Sequence, residues 1–96
     1  MPTKRSLPAA LKMARKSRGL SQEAFADVSS RTYMSTLERG LKSPTLNKLA
    51  EICGVLGIHP LTLLTLSYTG GSPAEIDSLI ARVRRELTGL TRKVAG

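Results

Sequence analysis

The stretch Ser29–Ile52, "SSRTYMSTLERGLKSPTLNKLAEI", decides the fold. Its first residues, "SSRTYMST", are almost all polar and rich in hydroxyls. From Arg31 the spacing of Tyr33, Met34 and Leu37 predicts a helix that Gly40 stops. A basic, proline-containing loop, "LKSP", follows. The helical pattern then resumes, with Thr45 as its cap and Leu46, Leu49, Ala50, Cys53 and Leu56 as an apolar stripe that ends at Gly57. A short helix with a polar outer face, followed by a sharp basic turn, is what the rest of the chain has to explain.

Upstream, Ser6 or Leu7 opens a helix with Pro8 in its first turn, where a missing N–H costs little. Leu7, Ala10, Leu11 and Ala14 share one face, and Lys12, Arg15, Lys16 and Arg18 crowd the remainder. Gly19 supplies the stop. Ser21 then reads as the cap of a second, short helix ending near Val28, with Phe25, Ala26 and Val28 as its apolar contacts. Ser29 and Ser30 offer the next cap. Downstream, Pro60 begins a short helix through "LTLLTL", and His59 before it reads as a cap or a surface residue. Nothing reads as a strand, and there is no internal repeat.

"SYTGGSP" is the clearest linker. After it, Ser72-Pro73-Ala74-Glu75 forms a capping box with proline just inside the helix start. Ile76, Ile80, Val83, Leu87 and Leu90 follow at spacings of four, three, four and three, a heptad seam widened by Leu79. The tail "TRKVAG" is expected to fray. The expected organisation is therefore a domain over residues 1–67, a linker over 68–72 and an amphipathic helix over 73–96.

Charge is the strongest compositional signal. Fifteen Lys and Arg against seven acids leave a net +8 in 96 residues. That balance points to a polyanion, nucleic acid before an anionic membrane surface. The apolar runs fall far below spanning length, and no apolar region follows the basic "MPTKRS", so no signal peptide is expected. Only Phe25, Tyr33 and Tyr68 are aromatic, so the core has to come from aliphatic side chains. One cysteine forms no internal disulfide, which fits a reducing compartment. With one His and one Cys there is no metal cluster of usual spacing. No nucleophile–base set and no glycine-rich phosphate loop appears. The expectation is a protein that is no enzyme and takes no cofactor, metal or small-molecule ligand.

Two short helices joined by a tight turn in an all-α, basic domain suggest helix-turn-helix. At this point "LSQEAFADVSSRTYMSTLERGLKSPTLNKLAEICGVLGI" (Leu20–Ile58) resembles the Cro/CI, or XRE-type, helix-turn-helix family. The resemblance covers roughly Leu11 to Leu64. It rests on Arg15 six residues before Ser21, the "SQ" pair, Ala26, the "ERG" of Glu38, Arg39 and Gly40, Pro44 after it, and "GVLGI".

The resemblance implies a five-helix, lambda-repressor-like DNA-binding domain, here with a sixth, C-terminal helix. It implies that Gln22 touches the DNA backbone and that the third helix is the reading helix. Ser29, Ser30, Arg31, Thr32, Tyr33, Ser35 and Thr36 would then face bases and phosphates, while Met34 and Leu37 are buried. Arg39, Lys42 and Ser43 would approach phosphates, and Arg15 and Glu38 would form a salt bridge between helices. Small hydrogen-bonding residues suit a helix in the major groove, and Arg31 has the fork that pairs with guanine. There is one departure. Seven residues separate Ala26 from Met34, fewer than the family usually carries and without its glycine. The second helix is therefore expected to end early, and Ser29, Ser30 and Arg31 remain alternatives for the first residue to reach a base.

Competing readings attach to several residues. "SSRTYMST" also suits a solvated face, and Tyr33 also suits a ring packed at the domain edge. Cys53 reads as a small core residue ahead of a redox sensor. Lys4 and Arg5 read as a solvated tail ahead of an arm on DNA. The whole reads as a sequence-specific, double-stranded DNA-binding transcriptional regulator, with the cytoplasm of a bacterium, or a phage, as the implied setting. Homodimerisation is expected through Ile76, Leu79, Ile80, Val83, Leu87 and Leu90. The rivals are an antitoxin-like module whose last helix clasps a partner protein, and a nonspecific nucleoid protein.

Overall fold

Each α-helix starts on a side-chain acceptor that takes one of the orphan N–H groups of its first turn. The structure is a computed structural model; it describes residues 6–95, with side chains through Arg92. Ser6 Oγ accepts from the Ala9 N–H ahead of α1 (Leu7–Ser17). Ser30 Oγ accepts from Tyr33 ahead of α2 (Arg31–Glu38), and Thr45 Oγ1 from Lys48 ahead of α3 (Leu46–Leu56). His59 Nδ1 accepts from Leu61 ahead of α4 (Pro60–Thr69), so the histidine is a cap and, being exposed, a surface residue as well. Ser72 Oγ accepts from Glu75 ahead of α5 (Pro73–Ala95). Lys4 and Arg5 lie outside the described residues.

The second expected helix is a single 3₁₀ turn, Gln22–Phe25, instead of an α-helix reaching Val28. Its bonds close over three residues: Ala24 N–H to Ser21 O at 3.1 Å and Ala26 N–H to Glu23 O at 3.1 Å. The Val28 and Ser29 N–H groups then both donate to Phe25 O, at 2.9 and 2.8 Å, and turn the chain into the cap of α2. Those two bonds reverse the chain directly after Phe25, so the segment ends as one tight 3₁₀ turn. Ser21 occupies the cap position but its side chain makes no capping bond. Ala26, expected inside, is exposed because the chain has already turned away from the core.

The core joins Ala10 and Leu11 of α1, Phe25 of the 3₁₀ turn, Met34 and Leu37 of α2, Leu49, Ile52, Cys53 and Leu56 of α3, and Leu63 of α4. Leu46 and Ala50, expected on the α3 stripe, are exposed. The buried stripe runs through Leu49, Ile52, Cys53 and Leu56. Ala50 falls roughly 110° from its centre at about 100° per residue, and Leu46, in the first turn, overhangs the layer. Burial pushes the Cys53 thiol up, which keeps it protonated as a core residue.

Helices α3 and α4 meet at 98° across the Gly57–His59 corner. Gly57 closes α3 in the left-handed region at φ 74°. Helix α4 packs against α1, and α5 against α4. Helix α4 runs on through Tyr68 and Thr69, so the turn expected over five residues narrows to Gly70, Gly71 and Ser72. From Ala81 to Arg92 every side chain of α5 is exposed, and the helix continues through Ala95 where fraying was expected. The described residues contain no strand. No single helix among them is long and apolar enough to cross a membrane.

Phe25 is wholly buried and anchors the shortened turn. Phe25→Ala should therefore cost about 3–5 kcal/mol, as other buried aromatic truncations do. Urea unfolding should show the midpoint falling at unchanged slope.

Candidate nucleic-acid interface

Helix α2 is only eight residues long, so its position depends on what holds its two ends. At the start, Ser30 caps it, and the preceding turn is tied to α3: Lys48 Nζ donates to the Val28 carbonyl and pairs with Glu51 at 3.0 Å. At the end, Gly40 takes the left-handed conformation at φ 75°, and the Leu41 N–H reaches back to Thr36 O at 3.1 Å. A Cβ at Gly40 would stand 3.4 Å from Pro8 Cγ, so α1 and the end of α2 approach closely there.

The strongest restraint is a buried ion pair. Arg15 Nε and one terminal nitrogen donate to the two oxygens of Glu38 at 2.6 and 2.9 Å, a fork on a fork. The other terminal nitrogen donates to Leu20 O at 2.8 Å, and Gln22 Nε2 donates to Glu38 at 3.2 Å. The side chains are 11% and 4% exposed. The hydrogen bond to Glu38 pushes the Arg15 guanidinium further up, against the opposing effect of burial, so Arg15 stays charged. One guanidinium thus joins α1, the loop after it and the end of α2, and Gln22 brings in the 3₁₀ turn.

The inner face of α2 is Met34 and Leu37, both buried. Tyr33 is half-buried against the core, so its ring serves packing at least in part. Arg31, Thr32 and Arg39 are exposed, and Ser35 and Thr36 are half-buried. Among the alternatives at the helix start, Ser30 Oγ is engaged as the cap and the Ser29 hydroxyl donates to Ser30 O at 3.3 Å. Arg31 is the first of the three whose head group stands clear of the backbone. Its contact with Glu23 is long, 3.8 Å, between side chains 71% and 70% exposed, and such a surface pair is worth little. The Thr36 hydroxyl donates to Thr32 O at 2.8 Å, so its proton is spent on the helix itself. Lys42 and Ser43 lie exposed in the loop after α2.

Sequence reasoning missed Lys48 and the bond from Arg15 to Leu20 O. Both are side chain to carbonyl contacts, and a carbonyl leaves no trace in residue identity. Gln22 was expected on the outside, and its bond to Glu38 needs the 3₁₀ turn that brings it there. Among the described residues, no three His, Cys, Asp or Glu side chains gather as a metal site.

A short capped helix with a polar outer face, locked at both ends in an all-α frame, agrees with the comparison to known families. The helix-turn-helix family model matches residues 11–63, over half of the chain. The chain belongs to the Cro/CI-type, or XRE, helix-turn-helix family. Searches of curated proteins and of solved structures returned no significant match. Membership makes this a DNA-binding helix-turn-helix regulator. The match starts at Leu11 and ends at Leu63, so it takes in the Arg15–Glu38 pair and leaves α5 outside.

Glu38→Ala leaves the Arg15 guanidinium buried without its partner. The cost should be about 3–5 kcal/mol, which lowers the melting temperature by roughly 10 °C or more in a domain this small. Differential scanning calorimetry of the variant measures it directly; an unchanged melting temperature would show that the pair does not hold the fold.

Proposed function

We propose that the protein binds an operator as a sequence-specific transcriptional regulator, with α2 in the major groove of double-stranded DNA. The observation that carries this is the division of α2 into a buried face, Met34 and Leu37, and an outer face of Arg31, Thr32 and Ser35. Reading helices of this motif present their N-terminal residues to base edges. Arg31 is the first residue of α2 and carries a planar fork that matches guanine O6 and N7. Thr32 and Ser35 follow on the same side. Thr36 contributes its methyl group and an acceptor oxygen, since its proton is engaged in the helix.

Phosphates are met by the flanks. Ser29 and Ser30 sit at the helix start, where N–H groups and the helix dipole favour anions. Gln22 has a second amide hydrogen beyond the one given to Glu38. Arg39, Lys42 and Ser43 lie at the other end of α2 and supply the charge that orients the domain on the duplex. In this reading the net +8 serves encounter and nonspecific affinity, and α2 supplies the discrimination.

Occupancy of a twofold operator is served by a homodimer, which doubles the contacts and places two reading helices about 34–36 Å apart. The exposed seam of Ile80, Val83, Leu87 and Leu90 supports that assembly. Ile76 and Leu79, half-buried where α5 meets α4, extend it toward the domain.

Arg31→Ala should lose about 1–3 kcal/mol on the best site and relax preference at one position, whereas Lys42→Ala should weaken all sequences alike and reduce the salt slope by about one. Fluorescence anisotropy on a selected site and on random duplexes, at several salt concentrations, separates the two. Equal loss of selected and random DNA on Arg31→Ala would mean that α2 does not read bases; a wild-type protein with no preference at all would be a nonspecific binder.

Val83→Asp combined with Leu87→Asp should give a folded monomer of much weaker operator affinity, because charge in an apolar seam is costly and the tethered second half is lost. Light scattering and DNA titration of this variant test the assembly. A wild-type chain that stays monomeric with its seam exposed would point to a partner protein instead, as in an antitoxin.

A further inference from the structure

Two apolar surfaces meet on α5. One is a groove between α4 and α5, lined by Leu61, Thr62, Thr65, Leu66, Ile76 and Ile80. The other is the seam of Val83, Leu87 and Leu90 on the part of the helix that leaves the domain, where no described residue covers it. Ile80 belongs to both, so they form one continuous surface. Helix α4 has no charged residue, and Leu61 at the groove edge is 62% exposed.

The charge on α5 is divided along its length. Residues 73–81 hold Glu75 and Asp77 and no Lys or Arg. Residues 82–93 hold Arg82, Arg84, Arg85, Arg92 and Lys93 against the single acid Glu86. Two copies laid in the same direction would set basic half against basic half. Laid in opposite directions, they set each basic half against an acidic one. Length argues the same way. The seam spans two heptads, fewer than the three to four or so of a self-sufficient coiled coil. Pairing confined to the seam would be too small, and further apolar surface has to be recruited from the groove.

We propose that the chain pairs with a second copy through antiparallel α5 helices, the α4–α5 groove of each copy receiving Val83 and Leu87 of the other. This rests on the dimer reading above and adds its direction and its docking site. The seam spacing sets the register: Ile80 lies opposite the partner's Val83, and Ile76 opposite the partner's Leu87. The twofold axis falls between Ala81 and Arg82. Asp77 then flanks the partner's Arg84, and the partner's Leu90 continues past Ile76 toward the start of α5. A helix entering a concave groove accounts for the groove; a flat anionic membrane, which the basic amphipathic half of α5 would also suit, leaves it unfilled.

The test uses the full chain carrying Ile76→Cys or Leu87→Cys. The two variants are reduced, mixed, allowed to exchange and then oxidised, beside each variant alone; Cys53 is buried, and the wild type controls for it. Disulfide-linked dimer should form in the mixture and not in either variant alone. As a second measurement, Asp77→Arg and Arg84→Asp should each raise the dimer dissociation constant several-fold, and the double variant should restore it. Cross-linking of each variant with itself would mean parallel helices, which overturns the proposal and leaves the dimer reading standing. So would a dimer with no cross-links and no response to the charge swap, which places the interface elsewhere. A monomeric wild type by light scattering overturns both readings, and sedimentation of that monomer with phosphatidylglycerol vesicles would assign the helix to a membrane surface.

Discussion

Glu38 accepts two hydrogen bonds from Arg15 and a third from Gln22 in a site almost closed to water. Buried ions are costly unless every charge is met by a partner of good geometry, and here the fork of Arg15 fits the carboxylate while its remaining nitrogen is taken by Leu20 O. The pair is directional. It sets where α1 ends relative to the end of α2, and so sets the tilt of a helix too short to hold itself. An eight-residue helix is marginal in isolation; α2 exists because Ser30 caps one end, Glu38 is locked at the other, and Met34 and Leu37 are buried between them.

The rest of the domain serves that arrangement. Phe25 pins the 3₁₀ turn, the turn brings Gln22 to Glu38, and Lys48 holds the Val28 carbonyl so that the chain enters α2 at one angle. Every strong restraint lies on the inner side. The outer residues of α2 have weak or local partners, such as the long contact of Arg31 to Glu23. Their conformations are therefore cheap to change. That is the balance a proposed reading helix needs: a rigid backbone, so that register on DNA is defined, with side chains that exchange weak local contacts for bases.

Helix α5 answers to a different constraint. Its first turns share an apolar groove with α4, and its remainder carries an apolar seam that none of the described residues covers. Nothing in the five-element core requires it, and the family match stops before it begins. Its stability as a helix comes from the Ser72 cap, Pro73 in the first turn and pairs such as Arg82–Glu86.

Much of this was legible in the sequence, because caps and stops act locally. Ser6, Ser30, Thr45 and Ser72 take an N–H from within their own first turn, and Gly19, Gly40 and Gly57 adopt a backbone conformation that other residues resist. Most helix positions and the polar face of α2 could be read from residue types and spacing, and the Arg15–Glu38 pair was implied by the resemblance to the family. The 3₁₀ turn, the exposure of Ala26, Leu46 and Ala50, the inward amide of Gln22 and the Lys48 bond to Val28 could not. Each depends on how far apart two elements sit once packed, and that distance is set by the combined volume of Phe25, Met34, Ile52 and their neighbours, a quantity that no single stretch of the chain contains.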